Sequence, residues 1–293
     1  MAQIRKAVIP VAGLGTRFLP VTKTVPKELL PIVDKPILLF IVEEALAAGM
    51  DEIILISGRG KTAIEDFFDT SVELEALLEK TGKSAMLKSL KEIRSRVKVV
   101  SIRQKEALGL GHAVLTAQPA VGKEPFAVLL GDEIMVTKEG MDSGIAQLAK
   151  LYQQTGLSTV AVMEVLPKDV EKYGIISGKP RANNLWAVDN VVEKPNQQSA
   201  PSLLALPGRY VFTPDIFKYL AEAKPGKNGE IQLTDGMTSL AQHEGLMAAK
   251  VDVQRFDAGD KLGFLQANVE MALKHPEIGA AFRAYLKQLS SQL

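Results

Sequence analysis

The sequence predicts an α/β fold with a mixed, mostly parallel central sheet flanked by helices. Three observations predict it. Apolar runs of strand length alternate with helical patterns through the first 157 of 293 residues. A strand, a crossover helix and a second strand, repeated, put parallel strands under helices on both faces. After residue 157 the strands shorten and loops lengthen, yet no linker, repeat or low-complexity tract intervenes. We therefore expect one domain over residues 1–293, with halves 1–157 and 158–293 sharing one sheet.

The elements follow in chain order. Strands are expected at 6–11, 52–57, 97–102 and 125–130, each a short apolar run bounded by turn residues. Helices are expected at 37–48, 60–68, 72–95 with a break at Gly82, 110–118 and 142–154. The 37–48 helix is well marked, because Pro36 suits its first turn and Gly49 suits its close. In the second half, Ser158 to Val165, Leu185 to Val192, Tyr210 to Thr213 and residues 246–253 read as strands. Helical patterns cover 215–223, 231–243 and two segments between about 260 and 290, and Tyr173 to Ile176 falls in a loop-rich stretch.

The most telling segment joins the first strand to the 37–48 helix. The run Gly13-Leu14-Gly15-Thr16-Arg17 follows a buried strand, and Lys27 comes ten residues after Arg17. Glycines let backbone N–H groups close on a polyphosphate, and the two cations add charge-assisted bonds. A dinucleotide fingerprint is excluded, because Phe18 holds the third glycine position and Pro20, Pro26 and Pro31 prevent an immediate helix. Gly60-Lys61-Thr62 ends like a P-loop, but Leu55 stands where that motif needs glycine. We read it as a solvated strand-to-helix turn.

Carboxylates appear at two further turns. Phe126 to Leu130 is a buried strand delivering Gly131-Asp132-Glu133 at the sheet edge where ligands of open α/β folds collect. Asp132 there is either a Mg²⁺ ligand or a turn residue. In Phe256-Asp257-Ala258-Gly259-Asp260, Asp260 is the better helix N-cap, which leaves Asp257 free as a ligand. Glu193-Lys194-Pro195 ends another strand and reads either as a surface ion pair or as an acceptor and a point charge for a phosphorylated sugar. Gln104 and the glycines near it suit the polar edge of a base. His112 reads as a packing or hydrogen-bonding residue, and three histidines support no His-based metal site.

Composition narrows the classes. A net charge of +1 offers no basic field for nucleic acid or a membrane surface. The absence of cysteine removes disulfides and thiolate metal sites. The start, MAQIRKAVIPVAG, lacks the apolar length of a signal peptide, and no apolar run approaches a bilayer's thickness. A cytoplasmic protein is expected.

Motif order carries a resemblance. PVAGLGTRFLPVTKTVPKELLPIVDKP, QKEALGLGHAV, LLGDE, KYGII, VVEKP, GRYVF, GEIQLTDGM and FDAGDKLGFLQANVEMAL succeed one another along nearly the whole chain. On these segments it resembles the bacterial UTP–glucose-1-phosphate uridylyltransferases (UDP-glucose pyrophosphorylases), within the sugar-1-phosphate nucleotidyltransferases. The resemblance implies a Rossmann-like, GT-A-like nucleotidyltransferase fold, with residues 1–157 mainly binding nucleotide and 158–293 mainly binding sugar and supplying C-terminal helices. It implies that Ala12, Gly13 and Gly15 hold the nucleotide through backbone groups, with Arg17 and Lys27 on its phosphates. Glu28 would lie against the nucleoside, and Gln104 with the Gly109 backbone would read the uracil edge. Asp132 and Asp257 would bind Mg²⁺, Gly174 and Glu193 the glucose hydroxyls, and Lys194 the sugar phosphate. Arg17, Lys27 and Lys194 would then be the catalytic cations.

The reaction implied joins UTP and glucose 1-phosphate into UDP-glucose and pyrophosphate by in-line attack on the α-phosphorus. A homo-oligomer, dimer or tetramer, is implied as well. Two alternatives stand beside this reading. One is the same chemistry on dTTP or another sugar phosphate; the other is a glycosyltransferase consuming a UDP-sugar. The second requires an Asp-x-Asp near Asp132, where the chain has Asp132-Glu133-Ile134.

Overall fold

Ala7, Val8 and Ile9 are completely buried, and they point alternately into two different hydrophobic clusters. That is the signature of a strand covered on both faces. It belongs to a computed structural model that describes residues 3–181, 184–226 and 229–292.

The strands in chain order are β1 (Lys6–Pro10), β2 (Pro31–Ile32), β3 (Lys35–Pro36), β4 (Glu52–Ser57), β5 (Lys98–Arg103), β6 (Phe126–Leu129) and β7 (Glu133–Val136). They continue as β8 (Ser158–Glu164), β9 (Gly174–Pro180), β10 (Leu185–Glu193), β11 (Leu204–Ala205), β12 (Arg209–Phe212), β13 (Leu246–Lys250) and β14 (Gln254–Asp257). Ten of them form one sheet in the order β11-β9-β10-β13-β8-β12-β6-β1-β4-β5. Seven of the ten run in one direction, with β10, β11 and β12 reversed. The mixed sheet expected from the sequence is therefore present; its neighbours are parallel among β6, β1, β4 and β5 and between β13 and β8, and antiparallel at the other five joins.

Helices close both faces. Ile37–Ala47 and Gly144–Thr155 pack with Ala7 and Ile9, while Leu110–Thr116, Ile216–Glu222 and Leu233–His243 pack with Val8. The break at Gly82 is real: Val72–Lys80 ends before it, Ser84–Arg96 begins after it, and Gly82 takes φ +69°. Asp260 caps Lys261–Lys274 by accepting from the Gly263 N–H. Among the described residues no helix is long and apolar enough to cross a membrane.

Two features depart from expectation. Gly174 to Ile176, read as loop-rich, opens the seven-residue β9, whose partner β10 satisfies its backbone. The antiparallel pair β7 and β14 was not foreseen either. Both strands have four residues, and their hydrogen bonds join segments about 120 positions apart, so no local pattern announces them.

Candidate active site

β4, β1 and β6 are neighbours, and the segments leaving the carboxyl ends of β1 and β6 supply Arg17, Leu130 and Asp132 to one wall of a large cleft. After β1, the chain turns at Gly15, whose φ of +67° suits glycine. The Thr22 hydroxyl donates to the Gly15 carbonyl at 2.7 Å. A Cβ on Gly15 would stand 3.2 Å from the Cβ of Lys27, so the turn lies directly on the lysine stem. Arg17 is exposed at the rim, and the Lys27 ammonium reaches the Asp132 carboxylate at 2.5 Å. Burial, the largest influence, raises the Asp132 pKa, but the Lys27 charge and hydrogen bond, with a backbone hydrogen bond and Arg17, together hold the group below the ordinary carboxylate range.

The β7–β14 pair explains how the second acid arrives. Asp257 sits opposite Glu133, one residue beyond Asp132, and the Ala258 N–H donates to the Asp132 carbonyl at 2.8 Å. A Cβ on Gly259 would lie 2.5 Å from Asp132 Oδ2 and 3.2 Å from Asp257 Oδ1. The two carboxylates thus flank a residue that must stay bare. Burial pushes the Asp257 pKa up and the Asp132 charge adds to it, while Arg255 opposes both. Mutually repelling carboxylates suit one hard divalent cation. Among the described residues no cluster of three or more His, Cys, Asp or Glu ligands exists, so water and phosphate oxygens would complete its shell.

The opposite wall comes from β9 and β10, where Gly174 pairs with Glu193. A Cβ on Gly174 would come 2.9 Å from Thr234 Cγ2 and 3.4 Å from Glu193 Oε2, which keeps the wall open at that point. Lys194 adopts φ +44°, donates its N–H to the Tyr173 carbonyl at 3.0 Å, and holds its ammonium 3.3 Å from Glu193 Oε1. Its side chain is 60 % exposed, hence free to exchange partners. Arg17, Asp132, Gly174, Glu193, Lys194 and Asp257 all line a single cavity of about 890 Å³.

The remaining expected residues stand behind or beside this cavity. Ala12, Gly13, Gly15 and Lys27 form the turn at its edge, and Lys27 joins it through Asp132. Gln104 is buried, and its Nε2 sits 3.1 Å from the Gly109 carbonyl and 2.9 Å from His112 Nδ1, the hydrogen-bonding role expected of that histidine. Gly109 takes φ +94°, and a Cβ there would meet Glu230 at 2.8 Å. Its loop bonds to Ile231, which ties Gln104 and Gly109 to the cavity wall at Glu230 and Gln232.

Sequence reasoning missed three charged residues. Lys61, read as part of a solvated turn, is 7 % exposed and pairs with the fully buried Glu28 at 2.8 Å. The turn is as expected; the solvation is not, because Glu28 supplies an interior counter-charge. Arg255 holds both oxygens of Glu133 at 2.5 and 2.6 Å and donates to the Tyr173 hydroxyl at 3.1 Å, which joins the acidic wall to the one that β9 and β10 build. Arg209 has no exposed surface and pairs with Glu44 at 2.7 Å beneath the turn that carries Asp132. An arginine destined for the interior looks, in sequence, like any surface cation.

With the geometry in place, comparison with known proteins is informative. Residues 6–274 match the family model described as Nucleotidyl transferase. A Staphylococcus epidermidis UTP–glucose-1-phosphate uridylyltransferase is 46 % identical over 289 residues, which is 99 % of each chain. The Bacillus subtilis UTP–glucose-1-phosphate uridylyltransferase YngB is 47 % identical over 98 % of this chain and 96 % of its own. A crystal structure of UDP-glucose pyrophosphorylase complexed with UDP-glucose superposes with TM-score 0.86 at 43 % identity, covering 93 % of this chain and all of that one. A UTP-bound enzyme of the same name from Acinetobacter baumannii gives TM-score 0.89 at 39 % identity, covering 98 % and 99 %. The chain belongs to the nucleotidyl transferase family, where it groups with the UTP–glucose-1-phosphate uridylyltransferases.

Proposed function

We propose that this chain transfers the uridylyl group of UTP to α-D-glucose 1-phosphate, giving UDP-glucose and pyrophosphate. One observation carries the reading: Arg17, Lys194 and the Asp132–Asp257 pair, far apart in sequence, converge on one cavity at the carboxyl edge of the sheet.

The chemistry follows from charge. The sugar phosphate is already anionic near neutral pH, since its second ionisation lies near pH ~6. Its oxygen needs no general base to attack the α-phosphorus in line, with pyrophosphate leaving from the far side. The obstacle is repulsion between two anions, roughly 1 kcal/mol per charge pair at about 4 Å in water and several-fold more in a dry site. Arg17 and Lys27 meet the triphosphate, and Lys194 meets the sugar phosphate. Catalysis is thus positioning and electrostatic stabilisation. A Mg²⁺ ion bound by Asp132 and Asp257 would supply further positive charge to the phosphate oxygens.

The nucleotide side uses residues 1–157. Backbone groups of Ala12, Gly13 and Gly15 hold the phosphates, Glu28 faces the nucleoside, and Gln104 with the Gly109 backbone reads the uracil edge. Residues 158–293 supply the sugar side, where Gly174 and Glu193 receive the glucose hydroxyls, together with the C-terminal helices. Exposed Leu265, Val269 and Tyr285 on those helices support a homo-oligomer, dimer or tetramer. A cytoplasmic location accords with a nucleoside triphosphate substrate.

The test is pyrophosphate release with UTP, Mg²⁺ and glucose 1-phosphate, against dTTP and N-acetylglucosamine 1-phosphate. Formation of UDP-glucose as the fastest reaction is expected. Faster turnover of another pair would overturn the substrate assignment.

A further inference from the structure

Glu28 and Lys61 form a buried ion pair, and the proposed chemistry leaves Lys61 without a role. Glu28 has no exposed surface; its Oε2 accepts from the Lys61 ammonium at 2.8 Å, and its Oε1 has no partner. A buried carboxylate with a free oxygen calls for an explanation, because such atoms are nearly always satisfied. The surroundings suggest one. Lys61 leaves the end of β4 through a turn in which a Cβ on Gly58 would stand 3.1 Å from the Ala12 carbonyl, so that turn packs on the nucleotide loop. On the other side, the Glu28 Cγ lies 3.5 Å from where a Cβ on Gly131 would be, directly before Asp132. Lys27, the neighbour of Glu28, bonds to Asp132. The two adjacent residues therefore make two ion pairs of opposite sense, one anchored at β4 and one at β6.

We propose that Lys61 is a positioning residue for the nucleoside triphosphate: its ammonium engages one oxygen of the buried Glu28 and so locks the segment that carries Lys27. The inference rests on the proposed UTP reaction and assigns a role to a residue outside the cavity. The same contact fixes the Lys27–Leu29 turn, and with it the direction in which Lys27 meets the phosphates. Lys61 touches no substrate in this scheme; its effect passes entirely through Glu28.

The experiment compares wild type with Lys61→Met and with the double variant Lys61→Met/Glu28→Gln. The double variant removes both charges, so the fold keeps no buried orphan ion. Steady-state kinetics with each substrate varied separately, UTP affinity by calorimetry without the sugar phosphate, and thermal unfolding are measured together. Lys61→Met is expected to raise the KM and Kd for UTP about tenfold, while the KM for glucose 1-phosphate stays within about twofold. The double variant should melt close to wild type and still bind UTP weakly. Lys61→Arg, which keeps a cation near Glu28, should recover part of the affinity.

Folded variants with wild-type UTP affinity would overturn the proposal. So would a loss spread equally over both substrates, or failure of both Met variants to fold, since either makes Lys61 a purely structural residue. Should wild type prove inactive with UTP and glucose 1-phosphate, the substrate assignment falls instead. A wild type that is active beside an unchanged Lys61→Met separates the two failures.

Discussion

Replacing Arg209 with methionine should destabilise the protein strongly. The guanidinium has no exposed surface, and its five N–H groups are fully committed. Nε and Nη2 donate to Glu44 Oε2 at 3.0 and 2.7 Å, and Nη2 also donates to the Glu133 carbonyl at 2.5 Å. Nη1 reaches the Gly208 carbonyl at 3.1 Å and, more weakly, that of Leu130 at 3.5 Å. The side chain therefore clips both ends of the turn that carries Asp132 to the helix Ile37–Ala47. Removing one partner of a buried pair costs about 3–5 kcal/mol, because the other charge is left without compensation. For a chain this long, each kcal/mol shifts Tm by roughly 2–4 °C, so Arg209→Met should melt roughly 6–20 °C below wild type. The orphaned carbonyls are not added separately, since neighbouring effects do not sum.

Circular dichroism melts, with Arg209→Met/Glu44→Met as the companion, test this account. Two well-packed apolar side chains can replace a buried pair at little net cost, so the double variant should regain much of the loss. A single variant melting within about 2 °C of wild type would refute the reasoning. So would a double variant no more stable than the single one, because the penalty would then not come from the unpaired Glu44.

Three further outcomes are expected. Lys194→Ala should raise the KM for glucose 1-phosphate about 10- to 100-fold, the worth of a charge-assisted hydrogen bond, and leave the KM for UTP nearly unchanged in pyrophosphate-release assays. Gly259→Ala would drive a methyl between Asp132 and Asp257, 2.5 and 3.2 Å from their oxygens; displacing ligands on that scale should lower kcat about 10²-fold and weaken Mn²⁺ binding in a spin-resonance titration. Because burial first, and then Asp132, keep the Asp257 carboxyl above the ordinary range, protons compete for it as pH falls. The Mg²⁺ concentration giving half-maximal rate should therefore rise as the pH falls towards the raised range of that carboxyl, and a profile flat down to the acid limit of folding would remove Asp257 from the metal site.

What the sequence made legible follows from the range of each signal. The parallel strands β1, β4, β5 and β6 are local apolar runs, and the ligand-bearing turns after β1 and β6 follow from where those runs stop. The Gly82 break and the Asp260 cap are equally local, each a property of one or two residues. The β7–β14 pair is different, since Glu133 and Asp257 become neighbours only once the whole sheet has formed. Arg255, Arg209 and Lys61 were missed for the same reason. Each is interior because a specific carboxylate from a distant segment meets it: Glu133, Glu44 and Glu28. Long-range pairing of charges leaves no periodicity to read.

That pairing also shapes the chemistry. Three functional cations of the cleft already have an opposite: Lys27 with Asp132, Lys194 with Glu193, and Arg255 with Glu133. In the proposed reaction substrate binding would exchange these partners. Lys27 would leave a carboxylate for a phosphate, which would free the Asp132 oxygen for a cation. Lys194, already 60 % exposed, would turn from Glu193 to the incoming sugar phosphate, which would free the Glu193 oxygen to accept from a sugar hydroxyl. The Lys27 exchange would swap one ion pair for another in the same largely buried surroundings, so little new desolvation would be incurred. Arg255 behaves differently. It is bidentate to Glu133 and stacked over Tyr173 with its centre 5.1 Å from the ring. With no free face to offer, it stays in place as the fixed strut against which the other pairs rearrange.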